Sequence, residues 1–492
     1  MKALTTQFRT TGFAQLCAAM ALATVLALSA CGGGSAALET LAGVGTGGSG
    51  LAEGTVSGFG SVFIDGVEYD DSNASVAQDD GAGESVNAEL KLGQRVRLVL
   101  DSSSKVQSVM VMPQLVGPVT QAMDAAGTFK VMGQGVRLGD TTAQAGFSAA
   151  SPALGDELEV HGSWVYDKAT ASYVLSASRV EKLTSAPDPV QLSGLVQSIA
   201  GSTLRLNSAD GISLQTSSMP AGLAVGRLVR VWASRAALAA GAGKTLLASR
   251  LVDATLSATE LAEQTLRLGG QAAQYNAAAR TLEIQGVKVQ LPAGLQVDEA
   301  ALSKGDFVAL EVKRTGGVLV ATALNLRGGA GGAADLGQSV SLKAVSSGVD
   351  WKATPVRFKL RGVDVMASQL VVDATCRQAG TEVDLLIEVK GRLATATDTV
   401  VATELRCTPL GNNTNGNGST VSRSGSVSQL NLKARNFVLQ TARDPITVQW
   451  DAQTYLPIEF IKHPESLTGQ SVEVEGVYQT GVLRARKIKR SH

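Results

Sequence analysis

A short pattern of apolar and polar positions recurs six times along this chain of 492 residues. Each copy has a glycine, two mostly polar residues, and then Val or Leu at alternate positions, as in Gly93-Gln94-Arg95-Val96-Arg97-Leu98. The glycine permits a turn with positive φ, and the alternation places the apolar residues on one face of a β-strand. The six glycines are 62 to 89 residues apart, at Gly93, Gly155, Gly226, Gly305, Gly380 and Gly469. The repeating unit is therefore the size of a small domain.

Further strands are predicted around each glycine strand. An opening strand and a hairpin precede it, with Asp65-Gly66 as a strong turn signal in the first repeat, and a closing strand follows it. Four to six strands with one apolar face favour a small closed barrel, because closure removes exposed edges. The predicted fold class is all-β, a tandem array of about six small barrels with boundaries at 53–114, 115–183, 190–254, 264–327, 336–409 and 424–490. An Asn/Gly/Ser linker is predicted at 410–423.

Residues 1–30 have the pattern of a secretory signal peptide. Lys2 and Arg9 precede an uncharged apolar run that is too short for a permanent membrane span. The run ends in Leu-Ser-Ala before Cys31, which is typical of a bacterial lipobox and predicts lipidation of that cysteine. The alternative is an ordinary cleavage site beside an incidental cysteine. Residues 31–52 would form a flexible tether to the membrane, and Gly32 favours the outer membrane as the destination.

Charge and aromatic content argue against a nucleic-acid-binding protein. Lys and Arg together number 43, the same as Asp and Glu, and aromatic residues make up only 4% of the chain. Nucleic-acid-binding proteins normally carry a basic surface and aromatic stacking platforms. The predicted partners are a membrane, through the lipid anchor, and an envelope protein or glycan. No cofactor is predicted.

Two cysteines would remain after export and lipidation. Cys376 and Cys407 lie in the same repeat, and an exported compartment favours a structural disulfide between them. Such a bridge would stabilise the repeat by roughly 3–4 kcal/mol. A redox pair is more typically spaced C-x-x-C, and a metal site would normally include histidines nearby.

The first repeat resembles a known bacterial family of unknown function. The resemblance rests on GTVSGFGSVFIDGVEYD at residues 54–70, LKLGQRVRLVL at residues 90–100, and the recurrence of this pair of motifs. It is close in the first repeat and looser in the others, where the opening motif is lost. The resemblance implies a compact OB-like β-barrel in each repeat of an exported protein or lipoprotein, and it implies no activity. OB-like barrels bind oligosaccharides or oligonucleotides across one face, but a fold alone is a weak argument for function.

Few residues suggest chemistry. The three histidines, His161, His463 and His492, lie far apart, and no nucleophile motif accompanies them. The spacing of Asp71, Asn73 and Ser75 is that of a calcium loop, but valine occupies the position of the glycine that turns such a loop. A solvated acidic loop is the preferred interpretation. The protein is therefore predicted not to be an enzyme and to hold no metal.

Tryptophans are the candidate ligand-binding residues. Trp164 and Trp232 could stack against sugars, and Trp232 alternates with Val229 and Val231, which predicts that it faces outward. A position in a barrel core or a domain interface is the alternative. The basic residues at 484–490 either protect an edge strand or contact anionic lipid.

The predicted function is a non-enzymatic binding or scaffolding module of tandem barrels in the cell envelope, with a protein or glycan ligand. The alternative is a carbohydrate-active or other hydrolytic envelope lipoprotein with a site hidden in one repeat. The sequence has no pair of carboxylates at a recognisable spacing to support that alternative.

Overall fold

The structure is a computed structural model that describes residues 50–72, 74–147, 152–209, 211–240, 245–256, 265–327, 339–381, 383–394, 397–410, 420–441 and 444–490. The predicted signal peptide, Cys31 and nearly all of the predicted tether lie outside these residues. The described residues belong to one compact unit, Gly47–His492. None of the helices in this part of the chain combines the length and apolarity needed to span a membrane.

Barrel 1 shows how each repeat is built. Its strands are β1 (Gly50–Phe59), β2 (Val62–Ile64), β3 (Val67–Tyr69), β4 (Ser75–Asp79), β5 (Ser85–Asn87), β6 (Arg95–Leu100) and β7 (Val106–Val111). Strand β1 pairs antiparallel with β2 and β6, β2 pairs with β3, and β6 pairs with β7. Strand β4, which follows β3, pairs parallel with β7 and completes the circuit. With β3 and β4 counted as one strand, the order around the barrel is 1-2-3-5-4-1.

Barrels 2 and 3 follow in the chain. Barrel 2 consists of β8 (Leu115–Gln121), β9 (Thr128–Val131), β10 (Gln134–Ala145), β11 (Glu157–Asp167) and β12 (Ser172–Lys182). Barrel 3 consists of β13 (Val190–Ala200), β14 (Thr203–Leu206), β15 (Ser213–Gln215), β16 (Leu228–Ala233), helix α1 (Arg235–Ala240), β17 (Thr245–Leu247) and β18 (Arg250–Asp253). Their buried apolar side chains form one continuous core.

The last three barrels each contain a short helix before the glycine strand. Barrel 4 has β19 (Thr265–Gln271), β20 (Ala273–Asn276), β21 (Thr281–Ile284), β22 (Val287–Gln290), α2 (Glu299–Lys304), β23 (Phe307–Thr315) and β24 (Val318–Arg327). Barrel 5 has β25 (Val340–Ser346), β26 (Val356–Leu360), β27 (Val363–Ala367), α3 (Ala374–Gln378), β28 (Leu385–Leu393) and β29 (Thr399–Pro409). Barrel 6 has β30 (Thr420–Asn431), β31 (Asn436–Gln440), β32 (Pro445–Gln449), α4 (Ile458–Lys462), a 3₁₀ turn (Pro464–Leu467), β33 (Ser471–Gln479) and β34 (Val482–Arg490).

One feature of strand pairing is common to all six barrels. The third strand pairs parallel with the fifth, as β4–β7, β10–β12, β15–β17, β22–β24, β27–β29 and β32–β34. The glycine strand pairs antiparallel with the opening strand in each case. The predicted all-β tandem array of small barrels is confirmed.

The second hairpin of barrel 1 turns where its sequence predicts. Asp65 and Gly66 separate β2 from β3 with φ values of 50° and 78°. This left-handed pair is the conformation of a two-residue hairpin turn that matches strand twist. Gln285-Gly286 and Arg361-Gly362 have nearly the same φ values at the corresponding turns of barrels 4 and 5.

Two strands begin earlier in the sequence than the residue composition predicts. Strand β1 starts at Gly50, within the predicted tether, and β30 starts at Thr420, within the predicted linker. In both places the additional residues pair with another barrel. Leu51 pairs with Leu266 of barrel 4, and Val421 pairs with Val345 of barrel 5. Contacts between barrels therefore extend the strands into sequences that look like linkers.

Barrel 1 contacts every other barrel through its strands or its ion pairs. Its opening strand β1 pairs parallel with β19 of barrel 4 at one end and with β25 of barrel 5 at the other. Salt bridges join it to barrels 2, 3 and 6, through Lys91–Glu181, Asp79–Arg250 and Glu89–Lys487. We call barrel 1 the hub for this reason.

Small residues in the opening strand of the hub allow this close packing. A Cβ at Gly58 would lie 2.3 Å from the carbonyl oxygen of Ser341, and one at Gly60 would lie 2.6 Å from Cβ of Lys343. Any larger side chain at Gly58 would therefore separate the strands of barrels 1 and 5. This contact explains why the glycine-rich opening motif occurs in the first repeat and is lost in the others.

Candidate functional site

Two clefts lie at two different junctions, each formed by three barrels. We call the first the tyrosine cleft; it is formed by barrels 2, 3 and 4 and has a volume of about 880 Å³. We call the second the charged cleft; it is formed by barrels 1, 5 and 6 and has a volume of about 290 Å³. Specific ligand sites are usually concave and have volumes of roughly 300–1,000 Å³. The larger cleft falls within this range, and the smaller one lies at its lower limit.

The tyrosine cleft is lined by aromatic rings and side-chain amides. Barrel 2 supplies Tyr166 and Tyr173 from the two strands of one hairpin, and barrel 4 supplies Tyr275. The rings of Tyr166 and Tyr173 meet edge to face with their centroids 5.2 Å apart. Tyr166 and Tyr275 are half-buried against the cores of their barrels. Their rings therefore pack against the barrel cores on one side and line the cleft on the other.

The amides come from three glutamines. Gln197 belongs to β13 of barrel 3, and Gln271 and Gln274 flank the junction of β19 and β20 in barrel 4. Gln274 has a φ of +47°, which is uncommon for a residue with a side chain. Its amide nitrogen donates a 2.6 Å hydrogen bond to the hydroxyl of Tyr173. This bond joins barrels 2 and 4 at the wall of the cleft.

The hydroxyl of Tyr173 remains protonated across the ordinary pH range. Burial, followed by the nearby carboxylate of Glu283, raises the pKa of Tyr173 to about 12. Burial also raises the pKa of Glu283, against the opposing effects of its hydrogen bond with Tyr173 and the charge of Lys288. Glu283 contacts Tyr173 but is not among the described residues that line the cleft. Tyr173 can thus contribute a neutral phenol to the site.

Polar atoms without partners occur beside the same cleft. The side-chain oxygen of Gln271 is buried and accepts no hydrogen bond from the described residues. Both side-chain polar atoms of Gln285, which is 5% exposed, are also without a hydrogen bond there. Gln285 precedes Gly286, which packs against Gly226 in the cleft wall. An unsatisfied buried polar group costs roughly 1–3 kcal/mol, so such groups at a concave junction favour a binding role.

The charges of the tyrosine cleft are few and nearly balanced. Arg137 forms a 2.9 Å ion pair with Asp167. Lys168, Lys304 and Asp306 are the other charged residues of the lining.

The charged cleft has the opposite character. Arg361, at the hairpin turn of barrel 5, donates two hydrogen bonds to Oε1 of Glu475 in barrel 6, at 2.6 and 3.0 Å. Lys487 lies 3.5 Å from Glu475 and 3.2 Å from Glu89 of the hub. Both members of the Arg361–Glu475 pair are less than 10% exposed. Basic and acidic side chains of three different barrels are therefore joined to one another.

Ionisation in the charged cleft follows from this pairing. Burial by itself would raise the pKa of Glu475, but Arg361 and Lys487 outweigh it and lower the pKa to about 2. Burial would lower the pKa of Lys487, but the carboxylates of Glu475 and Glu89 raise it. One guanidinium nitrogen of Arg361, Nη1, has no hydrogen-bond partner among the described residues. All four side chains remain charged near neutral pH, so the cleft neutralises itself.

Arg95 of the first glycine strand joins three barrels. It is 1% exposed and pairs with Glu53 at 2.8 Å within the hub. Its guanidinium donates to the carbonyl oxygen of Gly269 in barrel 4 at 3.0 Å, and to the hydroxyl of Ser163 in barrel 2 at 3.5 Å. Its backbone N–H faces Nδ1 of His161 at 3.3 Å. His161 is therefore a structural residue at a barrel junction.

Neither predicted tryptophan presents a ring to solvent. Trp164 is 1% exposed, belongs to the shared core of barrels 2 and 3, and donates to the hydroxyl of Ser193 at 3.0 Å. Trp232 is 2% exposed, so its ring is not accessible for stacking against a sugar, and the alternative of a domain interface describes its position.

The alternation around Trp232 correctly predicts that its ring lies outside the core of its own barrel. Val231 belongs to the core, whereas the ring of Trp232 lies against Gly81 of the hub. The guanidinium groups of Arg230 and Arg250 lie over the same ring, 4.9 and 4.4 Å from its centroid. Trp232 is on the outside of its own barrel and is covered by another barrel.

The predicted pairing of Cys376 with Cys407 is present as a disulfide. The bridge joins α3 to β29, and the carboxylate of Asp373 accepts hydrogen bonds from the backbone N–H groups of both cysteines, at 2.7 and 3.1 Å. Within the described residues, Asp373 and these two cysteines are the one group with the composition and spacing of metal ligands. The disulfide occupies both sulfur atoms, so the group is structural in this state.

Two charged segments contact other barrels. Asp71, part of the calcium-like spacing, lies 3.8 Å from Arg486 of barrel 6. Asn73 of that spacing lies outside the described residues. The basic terminal strand β34 uses Arg486, Lys487 and Lys489 to contact acidic residues of the hub and barrel 6. These side chains bind other barrels and are not available as a lipid-binding surface.

Sequence reasoning did not find the tyrosine cleft. Tyr166 and Tyr173 flank one hairpin, but Tyr275 and Gln271 lie about a hundred residues further along the chain, in another barrel. No spacing within a single repeat indicates their meeting. The positive φ of Gln274 is a signal that only a structure reveals.

Comparison with known proteins gives a limited result. The model of a family described as a domain of unknown function, DUF5666, matches residues 116–181 and 424–489. These two stretches correspond to barrels 2 and 6. No curated protein matches the chain. A solved structure titled "drosophila Unr CSD456" is 12% identical, covers 42% of this chain and 98% of its own, and has a TM-score of 0.14. That similarity is too low to support an argument about fold or function.

Proposed function

We propose that this protein is a non-enzymatic binding module of the bacterial cell envelope whose ligand site is the tyrosine cleft. The observation that carries the proposal is the convergence of half-buried tyrosines and partly unbonded glutamine amides at a junction of three barrels. Aromatic faces with a few well-placed polar groups are the usual lining of a ligand site. The charged cleft differs because its ionised side chains are paired with one another, although Nη1 of Arg361 has no hydrogen-bond partner among the described residues.

Packing of the barrels supports a binding role. Tyr173 and Gln274 come from different barrels, and the hydrogen bond between them forms part of the cleft wall. The backbone N–H of Tyr173 also donates to the carbonyl oxygen of Asn207 in barrel 3 at 2.7 Å. Each wall of the cleft is thus held by another barrel. A site held in this way loses little conformational entropy when a ligand binds.

The proposed location rests on the sequence. The signal-like residues 1–30 and the lipobox that ends at Cys31 support export and lipid anchoring, and Gly32 supports the outer membrane. A multiply acylated cysteine is sufficient for stable membrane attachment. Replacing Cys31 with serine should release the protein from the membrane fraction. Unchanged sedimentation of that variant would contradict the anchor.

A hydrolytic activity is the alternative function. Among the described residues, the carboxyl group of Glu283, with its raised pKa, is the feature that resembles a general acid. It contacts Tyr173 and does not itself line the tyrosine cleft, and a glycoside hydrolase needs a second carboxylate at a defined separation. These observations favour binding without hydrolysis.

Co-sedimentation tests the proposed function. The full-length lipidated protein in detergent is mixed with washed envelope fragments, and the pelleted fraction is measured for wild type, Tyr275→Ala and Gln453→Ala. Gln453 lines the charged cleft and serves as the matched control. Wild type and Gln453→Ala should pellet equally, and Tyr275→Ala should pellet at least fivefold less. Equal pelleting of all three proteins, or none for wild type, would contradict a binding role for the tyrosine cleft.

A further inference from the structure

We infer that the ligand of the tyrosine cleft is a neutral oligosaccharide. This inference rests on the proposed function and specifies the chemical class of its ligand. It is carried by three features of the lining: the rings, the amides and the balance of charge.

The rings fit the apolar faces of sugar residues. Tyr166 and Tyr275 come from two barrels and are both partly exposed to the same cavity. A pyranose ring has one face of C–H groups, and a half-exposed tyrosine offers an apolar surface with a hydroxyl at its end. Two such rings on different walls can contact two residues of one sugar chain.

The amides fit sugar hydroxyl groups. The side-chain oxygen of Gln271 is buried and unbonded beside the cavity, so a rotation of the side chain is needed to present it to a ligand; its amide nitrogen belongs to the same planar group. An amide donates and accepts at neighbouring positions, as the hydroxyl groups of a sugar also do. Gln197 and Gln274 supply further amides from barrels 3 and 4. The three glutamines and Tyr173 thus all line one cavity, with the amide nitrogen of Gln274 and the hydroxyl of Tyr173 already bonded to each other.

The charge balance disfavours a nucleic acid. Arg137 is already paired with Asp167, and Asp306 offsets part of the charge of Lys168 and Lys304. A phosphate backbone requires a surface with clear positive excess. Lys168 and Ala169 also belong to the turn between the fourth and fifth strands of barrel 2. In OB-like barrels this turn borders the surface that binds oligosaccharides or oligonucleotides, and the balanced charge selects the former.

Calorimetric titration tests the inference. The full-length lipidated protein in a non-glycosidic detergent is titrated separately with maltotetraose, cellotetraose and chitotetraose, and with a 20-nucleotide oligothymidylate. At least one tetrasaccharide should bind, and the oligothymidylate should not. Tyr275→Ala and Gln271→Leu should each weaken tetrasaccharide binding at least tenfold, whereas Gln453→Ala should change it less than twofold. Gln271→Leu keeps the test decisive if the tyrosine variant folds poorly.

The outcomes separate this inference from the proposed function. If no tetrasaccharide binds, or if both cleft variants bind as wild type does, the inference is overturned. Tyrosine-dependent pelleting with envelope fragments would then still support a binding module, whose ligand is another class such as a peptide. If oligothymidylate alone binds, the ligand class is wrong and the charge argument fails with it. If envelope fragments also fail to pellet the protein, the proposed function falls together with the inference.

Discussion

The two clefts have similar origins but opposite chemistry. Each lies where three barrels of the same fold meet, and in each a β-hairpin of one barrel forms part of the wall. In the charged cleft, Arg361 and Glu475 are almost fully buried and bonded to each other. In the tyrosine cleft, Gln271 keeps a buried oxygen without a partner, and two tyrosines remain half-exposed. The charged junction pairs its ionised groups with one another, although Nη1 of Arg361 has no hydrogen-bond partner among the described residues, whereas the tyrosine cleft leaves neutral polar groups unbonded.

This difference separates stability from function. Paired charges in a cleft hold the barrels together. Removing one partner of a buried ion pair leaves the other charge buried without compensation, which is strongly destabilising. A cleft with unbonded amides gives up some folding stability, as sites that bind ligands commonly do. We therefore expect substitutions in the charged cleft to affect unfolding, and substitutions in the tyrosine cleft to affect binding.

The largest effect should come from Arg361→Met. This change leaves the carboxylate of Glu475 buried without its main partner, so we expect the free energy of unfolding to fall by about 3–5 kcal/mol. Urea denaturation followed by circular dichroism measures it. The double variant Arg361→Met/Glu475→Met should regain most of the loss, since an apolar pair can replace a buried ion pair. A single variant as stable as wild type would contradict a structural role for this cleft.

Acid should weaken the same junction selectively. The pKa of Glu475 is lowered from 4.5 to about 2 in the folded protein, so its contribution is complete above pH 4.5 and is lost as the pH falls to about 2. A difference of this size corresponds to about 3 kcal/mol. Denaturation curves between pH 5 and pH 2 should show a steeper loss for wild type than for Arg361→Met/Glu475→Met. Parallel pH profiles would show that the junction does not hold an ionised pair.

Gly58→Ala should disturb the packing of the hub against barrel 5. Its Cβ would lie 2.3 Å from a backbone oxygen, which cannot move without shifting β25. We expect a loss of about 1–3 kcal/mol in the free energy of unfolding. Gly135→Ala is the matched control, because a Cβ there meets only Val174, at an ordinary distance of 3.7 Å. Equal stability of the two variants would argue that the barrels do not pack as described.

Gln271→Leu in the tyrosine cleft should cause no loss of stability. The replaced oxygen is buried without a hydrogen-bond partner among the described residues, so its removal should leave the free energy of unfolding unchanged or raise it by up to about 1–3 kcal/mol. The same variant should lose oligosaccharide binding. A large loss of stability would place Gln271 among the structural residues and remove the contrast between the clefts.

Local features of the fold were predictable from the sequence. Alternating apolar positions after Gly93 predicted a strand with one buried face, and Asp65-Gly66 predicted a hairpin because both signals act over a few residues. The pairing of Cys376 with Cys407 followed from the redox compartment and the number of cysteines. The glycine-rich opening of the first repeat also contained a signal, since its small residues mark a strand packed closely by other barrels.

Contacts between barrels were not predictable. Alternation correctly placed Trp232 outside its own core, but it could not show that Gly81 of the hub covers the ring. The same limit applies to the clefts, because Tyr173 and Gln274 meet from barrels about a hundred residues apart. A single sequence specifies the local period of each strand, whereas a site at a junction depends on how separate domains pack.

We propose that the tyrosine cleft binds a ligand and that the charged cleft holds the barrels together. Photocrosslinking in living cells tests it most directly, with a benzophenone amino acid at Lys304 beside the tyrosine cleft or at Gln453 in the charged cleft. We expect glycan-containing adducts from Lys304 that disappear when Gln271 is also changed to leucine, and no adducts beyond the chain itself from Gln453. Adducts from Gln453 alone, or from both positions regardless of Gln271, would contradict it.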